Sequence, residues 1–461
     1  MRAHFFRLIE GLRASYWFVP SLMAFFAIVL GALMVWLDAG PATGLLDGLG
    51  WYQKAKPDGA HQVLSTIAGS MITVAGVVFS ITIVAIAYAA SQYGPRILTN
   101  FMSDRGNQVT LGTFIATFVY CLVVLRTIRG GGDGEFVPQM AVAVGLVLAI
   151  CSIAVLIYFI HHVPNSIHIN NVVARIGKQL LRSVDDRFPA QVGDPIDEAE
   201  QASEELSAGE RALQDGTGAK AVCAHCNGYL QAVEDEALMD IACDKDLVLR
   251  LHHIPGDYLF DGEMIVSAWP AERVDEATGG SLRRSYSVGN NRTPTQDILF
   301  LVDELVEISA RALSSGVNDP YTAITCLDWL GAAVAQLGRR RMPSPRRVDP
   351  QGTVRVIAVP DSYAGFIDRG FGRMRPYVAR DVTAALHMLD TLAQVAARCR
   401  LSDRRQLLAA QAESLLTLAE EELHGPSLER LQERYRQTAH SFIATDQIAE
   451  KAGTLGARAR R

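Results

Sequence analysis

At 461 residues the chain has room for a membrane domain and one or two soluble domains of ordinary size. A net charge of −6 over that length excludes a protein organised by bulk attraction to nucleic acid. Its seven cysteines are too scattered for a disulfide framework, so free thiols are expected.

Four apolar stretches without Asp, Glu, Lys or Arg come first in the chain, at 16–37, 63–90, 109–125 and 139–160. Each approaches or exceeds the roughly 17–25 residues that a helix needs to cross a bilayer. An ionised side chain at mid-membrane costs about 3 kcal/mol or more, so four charge-free windows point to a four-helix transmembrane domain over 1–163. The first stretch is longer than a signal-peptide core and is followed by no small-residue cleavage site, so it reads as a retained span. Trp17 and Trp36 lie about 29 Å apart along such a helix, placing one indole at each interface. Lys and Arg residues set the orientation. Arg2, Arg7, Arg13, Arg96, Arg105, Arg175, Lys178, Arg182 and Arg187 fall on one side, against Lys54, Lys56, Arg126 and Arg129 on the other. The positive-inside bias predicts a multi-pass protein of the bacterial inner (cell) membrane with both termini cytoplasmic.

The second stretch carries the most chemistry. On a helical wheel Thr66, Gly69, Ser70, Thr73, Gly76, Ser80 and Ala87 share an arc of about 120°, with Val77 and Val84 along it. Ile67, Met71, Val74, Val78 and Phe79 lie off that arc. Small and hydroxylated residues in lipid either let helices approach closely or line a water-filled path. Thr110, Thr113, Thr117 and Tyr120 repeat the pattern more weakly in the third stretch, where packing is the simpler reading. Arg126 and Arg129 at the outer mouth either snorkel to the interface or attract anions.

Pro164 and Asn165 are expected to end the fourth span. An amphipathic helix and an acidic linker fill 164–219. A small β domain over 220–290 follows from the alternation of Leu247, Leu249 and Leu251, from turn signals at Pro255-Gly256-Asp257 and Asp261-Gly262, and from a strand at Met264–Trp269. From 291 to 461 the period is mostly helical, giving an α-rich C-terminal cytoplasmic domain with a strand near 353–359. Asn318 shapes a turn there, and Asp319 is expected to cap the helix that begins at Pro320.

Gln92-Tyr93-Gly94-Pro95-Arg96, the β segment at 228–269, and the string Arg311-Ala312-Leu313-Ser314 through Asn318-Asp319-Pro320 resemble a bacterial family of predicted membrane proteins, domain of unknown function 2254. The resemblance covers nearly the whole chain and implies four spans with a cytoplasmic tail. It implies no activity.

Cys223-Ala224-His225-Cys226 has half the spacing of a zinc site, but no second pair follows, so no metal is expected. The arginines at 339–341 and 346–347 read as a solvated loop or a contact with anionic lipid. No phosphate loop, nucleophile elbow, metalloprotease motif or dinucleotide fingerprint is present, so neither an enzyme nor a cofactor is expected. Two readings remain: a homo-oligomeric channel lined by the second helix, or a membrane-anchored scaffold or sensor that moves nothing.

Overall fold

The computed structural model describes residues 17–40, 56–94, 104–130, 136–188, 207–360 and 362–442. The chain forms two compact units, one within Phe6–Asn171 and the other within Val172–Arg461. It is mostly helical, with four helices long and apolar enough to cross a membrane and a small sheet region.

The first unit contains α1 (Phe18–Asp38), α2 (Pro57–Tyr93), α3 (Arg105–Leu125) and α4 (Gln139–Ile167). In lipid every main-chain N–H and C=O must be satisfied within the protein, which favours helices over any open structure. α3 packs against the other three. Its approach to α1 depends on glycine: a Cβ at Gly112 would stand 2.5 Å from Met23 Sδ and 3.3 Å from Pro20 Cα. Leu64 of α2, Tyr120 and Val124 of α3, and Ala141 of α4 meet in one buried cluster. Several polar groups between the helices are paired. Tyr120 donates to the Ala141 carbonyl at 2.8 Å, and the Thr117 and Ser152 hydroxyls bond at 3.0 Å. Buried Asp38, at the end of α1, accepts from the main-chain N–H groups of Met140 and Ala141 at 3.0 and 2.8 Å. It therefore caps the start of α4 from another helix.

Two helices run further than the sequence suggests. α2 starts at Pro57, a residue suited to a first helical turn, and its 37 residues extend about 55 Å. α4 does not stop at Pro164 but continues to Ile167. Proline removes one hydrogen bond, to the Ile160 carbonyl, and the next turn still closes: the His168 N–H donates to the Pro164 carbonyl at 3.2 Å. Only His168 separates α4 from the amphipathic α5 (Ile169–Arg187).

The second unit opens with α5, whose buried stripe is Val172, Val173, Ile176, Leu180 and Val184. Beyond the acidic segment, much of which lies outside the described residues, comes α6 (Ala208–Asp215), closed by a capping box between Ser207 and Glu210. Six strands follow to residue 289: β1 (Lys220–Cys223), β2 (Gly228–Val233), β3 (Val248–Leu251), β4 (Tyr258–Leu259), β5 (Met264–Trp269) and β6 (Tyr286–Gly289). They are interrupted by α7 (Asp235–Asp244) and α8 (Glu276–Arg284), two short helices absent from the expected β domain. Acidic first-turn residues, Asp235 and Glu236 in α7 and Glu276 in α8, suit the positive helix start.

The expected boundary at 290 is crossed by the sheet. β7 (Arg346–Val348) and β8 (Val354–Ile357) complete a five-stranded sheet of order β1-β5-β3-β8-β7, and β4-β2-β6 form a second. β3 and β8 pair in parallel, Leu249 beside Val356. The arginine-rich loop is partly this strand. Arg346 bonds Glu210 at 2.7 Å, and Arg340 pairs with Asp185 and donates to the Phe188 carbonyl at 2.7 Å.

The helical remainder is α9 (Ile298–Ala312), α10 (Pro320–Leu337), α11 (Tyr363–Ile367), a π turn at Asp368–Gly372, α12 (Arg373–Val378), α13 (Val382–Ala396), α14 (Ser402–Glu422) and α15 (Pro426–Thr438). The last residues of the α-rich domain, 443–461, lie outside the described residues. Buried Asp303 on α9 joins these pieces. It accepts from Arg369 at 2.6 Å through both Nε and Nη2, from Arg373 at 3.4 Å, and from Arg292. Burial pushes its carboxyl pKa up, but the bonds from Arg369 and Arg292 outweigh this and hold it below the usual range. Asp319 is the N-cap of α10, accepting from the N–H groups of Tyr321 and Thr322 at 3.2 Å and from the Thr322 hydroxyl at 2.6 Å.

Gly112→Val should overpack the α1–α3 crossing and cost about 1–3 kcal/mol. In a background whose only cysteine is the buried Cys121, thiol-dye labelling during heating should then begin at a lower temperature. Asp319→Ala should cost about 1 kcal/mol, the usual value of a lost N-cap. A lower melting temperature of the full chain, partly restored by Asp319→Asn, would register it.

Candidate functional site

The described face of α2 divides cleanly. Leu64, Ala68, Met71, Ala75 and Val78 are buried against neighbouring helices. Thr66, Ser70, Thr73 and Ser80 are exposed, and so are Val77 at 54% and Val84 at 69%. A Cβ added at Gly69 or Gly76 would meet nothing within 4 Å. The small, hydroxylated seam therefore does not pack against the other helices of its own chain.

Local bonding explains how such a face stays stable. Thr66 Oγ1 donates to the Gln62 carbonyl at 2.7 Å, Ser70 Oγ to Thr66 at 2.8 Å, and Thr73 Oγ1 to Gly69 at 2.8 Å. Each hydroxyl proton is satisfied one turn back, which leaves oxygen lone pairs directed outward. Over Thr66, Ser70 and Thr73 the face can meet water, lipid or another helix without an unpaired donor. α3 uses its hydroxyls differently: Thr110 and Thr117 are buried, and Thr117 bonds Ser152 across the helix pair.

Arg126 caps the end of α3, and both Arg126 and Arg129 are exposed. The main chain of Arg129 bridges to Phe136, with N···O distances of 3.0 and 3.1 Å in the two directions. Gly131 and its neighbours to 135 lie outside the described residues, as do Arg2, Arg7, Arg13, Trp51, Lys54 and Arg96. Asn318, with φ of +50°, and Asp319 form the turn between α9 and α10 in the second unit, and the α2 seam belongs to the first. Cys223 ends β1, while His225 and Cys226 are exposed in the turn that follows. Among the described residues no three His, Cys, Asp or Glu side chains converge as metal ligands.

Two features were missed by sequence reasoning. Asp104 caps α3 by accepting from Gly106 N at 2.7 Å, and its carboxylate also meets His162 Nε2 of α4 at 3.2 Å. Tyr158 stacks on that imidazole and bonds its Nδ1 at 3.1 Å. An Asp two residues before Gly106 at the head of an apolar run was a legible N-cap signal; the histidine 58 positions away was not. The second is a cleft of about 860 Å³ in the second unit, between the end of α5, α7, β8 and the segment leading into α9.

The sequence profile of a family described as "Predicted membrane protein (DUF2254)" matches residues 13–394. Uncharacterized protein Rv1290c of Mycobacterium tuberculosis is 30% identical over 453 residues, 97% of this chain and 83% of its own. Uncharacterized protein Mb1321c of Mycobacterium bovis is similar to the same extent, 30% over 453 residues with the same coverage. No solved structure matches. With four apolar helices in the structure and a match over most of its length, the chain belongs to the DUF2254 family of predicted membrane proteins.

Proposed function

We propose that the chain is a homo-oligomeric channel or channel-like conduit of the bacterial cell membrane, with α2 lining the path and cytoplasmic domains regulating it. The supporting observation is a contrast between two exposed faces. α4 turns Ile150, Ile153, Ile157 and Ile160 outward, bulky aliphatics suited to lipid. α2 turns outward Thr66, Gly69, Ser70, Thr73, Gly76 and Ser80 along one arc, with Ile72, Phe79, Ile81 and Ile83 exposed to either side of it. A face of small and hydroxylated residues, interrupted by the exposed Val77 and Val84 as dewettable narrow points, fits copies gathered around a wet axis. Hydroxyls and apolar constrictions suffice for conduction, so the lack of charge inside the four apolar stretches is no obstacle. The distribution of Lys and Arg supports cytoplasmic termini. The reading assigns no catalysis and no cofactor.

A membrane-anchored sensor or scaffold is the second reading, favoured by the cleft in the large second unit. Planar-bilayer recording separates the two. Under the conduit reading Val77→Ser wets the constriction and raises basal conductance severalfold, while Ser80→Leu lowers it. If the seam only packs copies together, Val77→Ser is nearly neutral and Ser80→Leu changes the oligomer's size. Absence of flux from well-folded wild-type oligomers, at both voltage signs and across a range of salts, would end the conduit reading. Orientation is tested on intact cells with an impermeant thiol reagent. It should label Trp51→Cys and Gly131→Cys and spare Glu200→Cys and Leu455→Cys; labelling at 200 would invert the topology.

A further inference from the structure

The cleft in the second unit has a composition that selects its occupant. Its floor is apolar, made by Leu238, Leu251, Ile298 and Val356, and these belong to the hydrophobic interior or border it. Its volume of about 860 Å³ lies in the upper part of the range that holds small organic ligands. Four carboxylates stand on its walls: Asp186 of α5, and Asp235, Glu236 and Asp240 of α7. Asp186, Asp235 and Asp240 are exposed.

Two guanidiniums share the walls with these four carboxylates, so the rim keeps a net negative charge. Arg187 donates to the Gln296 carbonyl, and Arg347 donates to the carbonyls of Ser344 and Arg346. His253 faces a carboxylate from each ring nitrogen, Asp257 at 3.6 Å and Glu263 at 3.7 Å. Gln296 holds the opening in shape. Its amide accepts from Val233 N at 2.8 Å and donates to the Val233 carbonyl at 3.1 Å, tying the segment before α9 to the end of β2.

An apolar floor beneath an acidic rim, with the local guanidiniums turned to main-chain carbonyls, complements one class of molecule. We infer that this cleft binds a small organic cation with an apolar body, such as a lipophilic ammonium compound. Its body would cover the floor, and its charge would sit among Asp235, Asp240 and Asp186. An anionic ligand of the same shape would be repelled by that rim. The inference is independent of conduction, because it requires only that the second unit be folded.

Ethidium, a planar aromatic cation, is a suitable probe. Its fluorescence anisotropy is measured with the full chain in zwitterionic nanodiscs, with empty nanodiscs subtracted. The expected result is saturable binding at one site per chain, weakened as salt rises from 0.05 to 0.5 M in keeping with screening of a charged rim. The double variant Asp235→Asn/Asp240→Asn should bind at least tenfold more weakly. Val359→Lys adds a cation on an exposed part of the same wall and should weaken binding as well. Both changes are on the surface, and circular dichroism melting with the wild-type midpoint confirms that each variant is folded. The inference is overturned by an absence of saturable binding above empty nanodiscs. It is equally overturned if the folded variants keep wild-type affinity, or if the apolar anion 1-anilinonaphthalene-8-sulfonate displaces ethidium as well as an unlabelled cation does.

Discussion

Polar atoms in a solvent that cannot hydrogen-bond are the constraint on which the first unit depends. Four helices satisfy their main chains internally, and their side-chain hydroxyls bond back to their own carbonyls or to a facing helix. Charge is kept to the helix ends, where it takes on capping work. Asp38 closes α4 from the end of α1, and Asp104 closes α3 while meeting His162 of α4. These contacts set the relative height of the helices. Glycines such as Gly112 then set how closely α1 and α3 approach.

Placing polar groups this way leaves one face unexplained by the single chain. Thr117, Ser152 and Tyr120 bond across helix pairs, whereas the α2 seam has only its own helix. Self-satisfied hydroxyls cost little in lipid, so their presence alone would not signify much. The small size of Gly69, Ser70, Gly76 and Ser80, which share that arc with Val77 and Val84, is the stronger point, because a lipid-facing surface gains dispersion energy from size. The proposal of a shared axis between copies accounts for both features together.

Much of this was legible in the sequence, and the rest failed for identifiable reasons. Four charge-free windows gave four helices because burial in lipid tolerates no alternative. Asp319 before Pro320 is a purely local signal, and the cap is local too. Pro164 misled because a proline near a helix end costs one bond, which is not enough to stop a helix whose next turn closes. α7 and α8 were hidden among turn signals, since helices of ten and nine residues show barely two turns of periodicity. The wheel identified the seam of α2 but could not say which face the other helices would occupy. The cleft draws on residues from 183 to 360 and leaves no trace in any window of sequence.

The parallel pairing of β3 with β8 has a consequence for how the protein is made. β3 lies between β5 and β8, and β8 leaves the ribosome only after α9, α10 and β7. Until residues 354–357 arrive, one edge of β3 presents unpaired main-chain groups in a nascent unit whose hydrophobic interior lacks Val356. Such an edge is a template for unwanted strand addition. The second unit thus matures as a whole, late in synthesis and after all four apolar helices have emerged. A fragment ending at β6, though it contains six of the eight strands, keeps that edge bare and is an aggregation-prone piece of the fold.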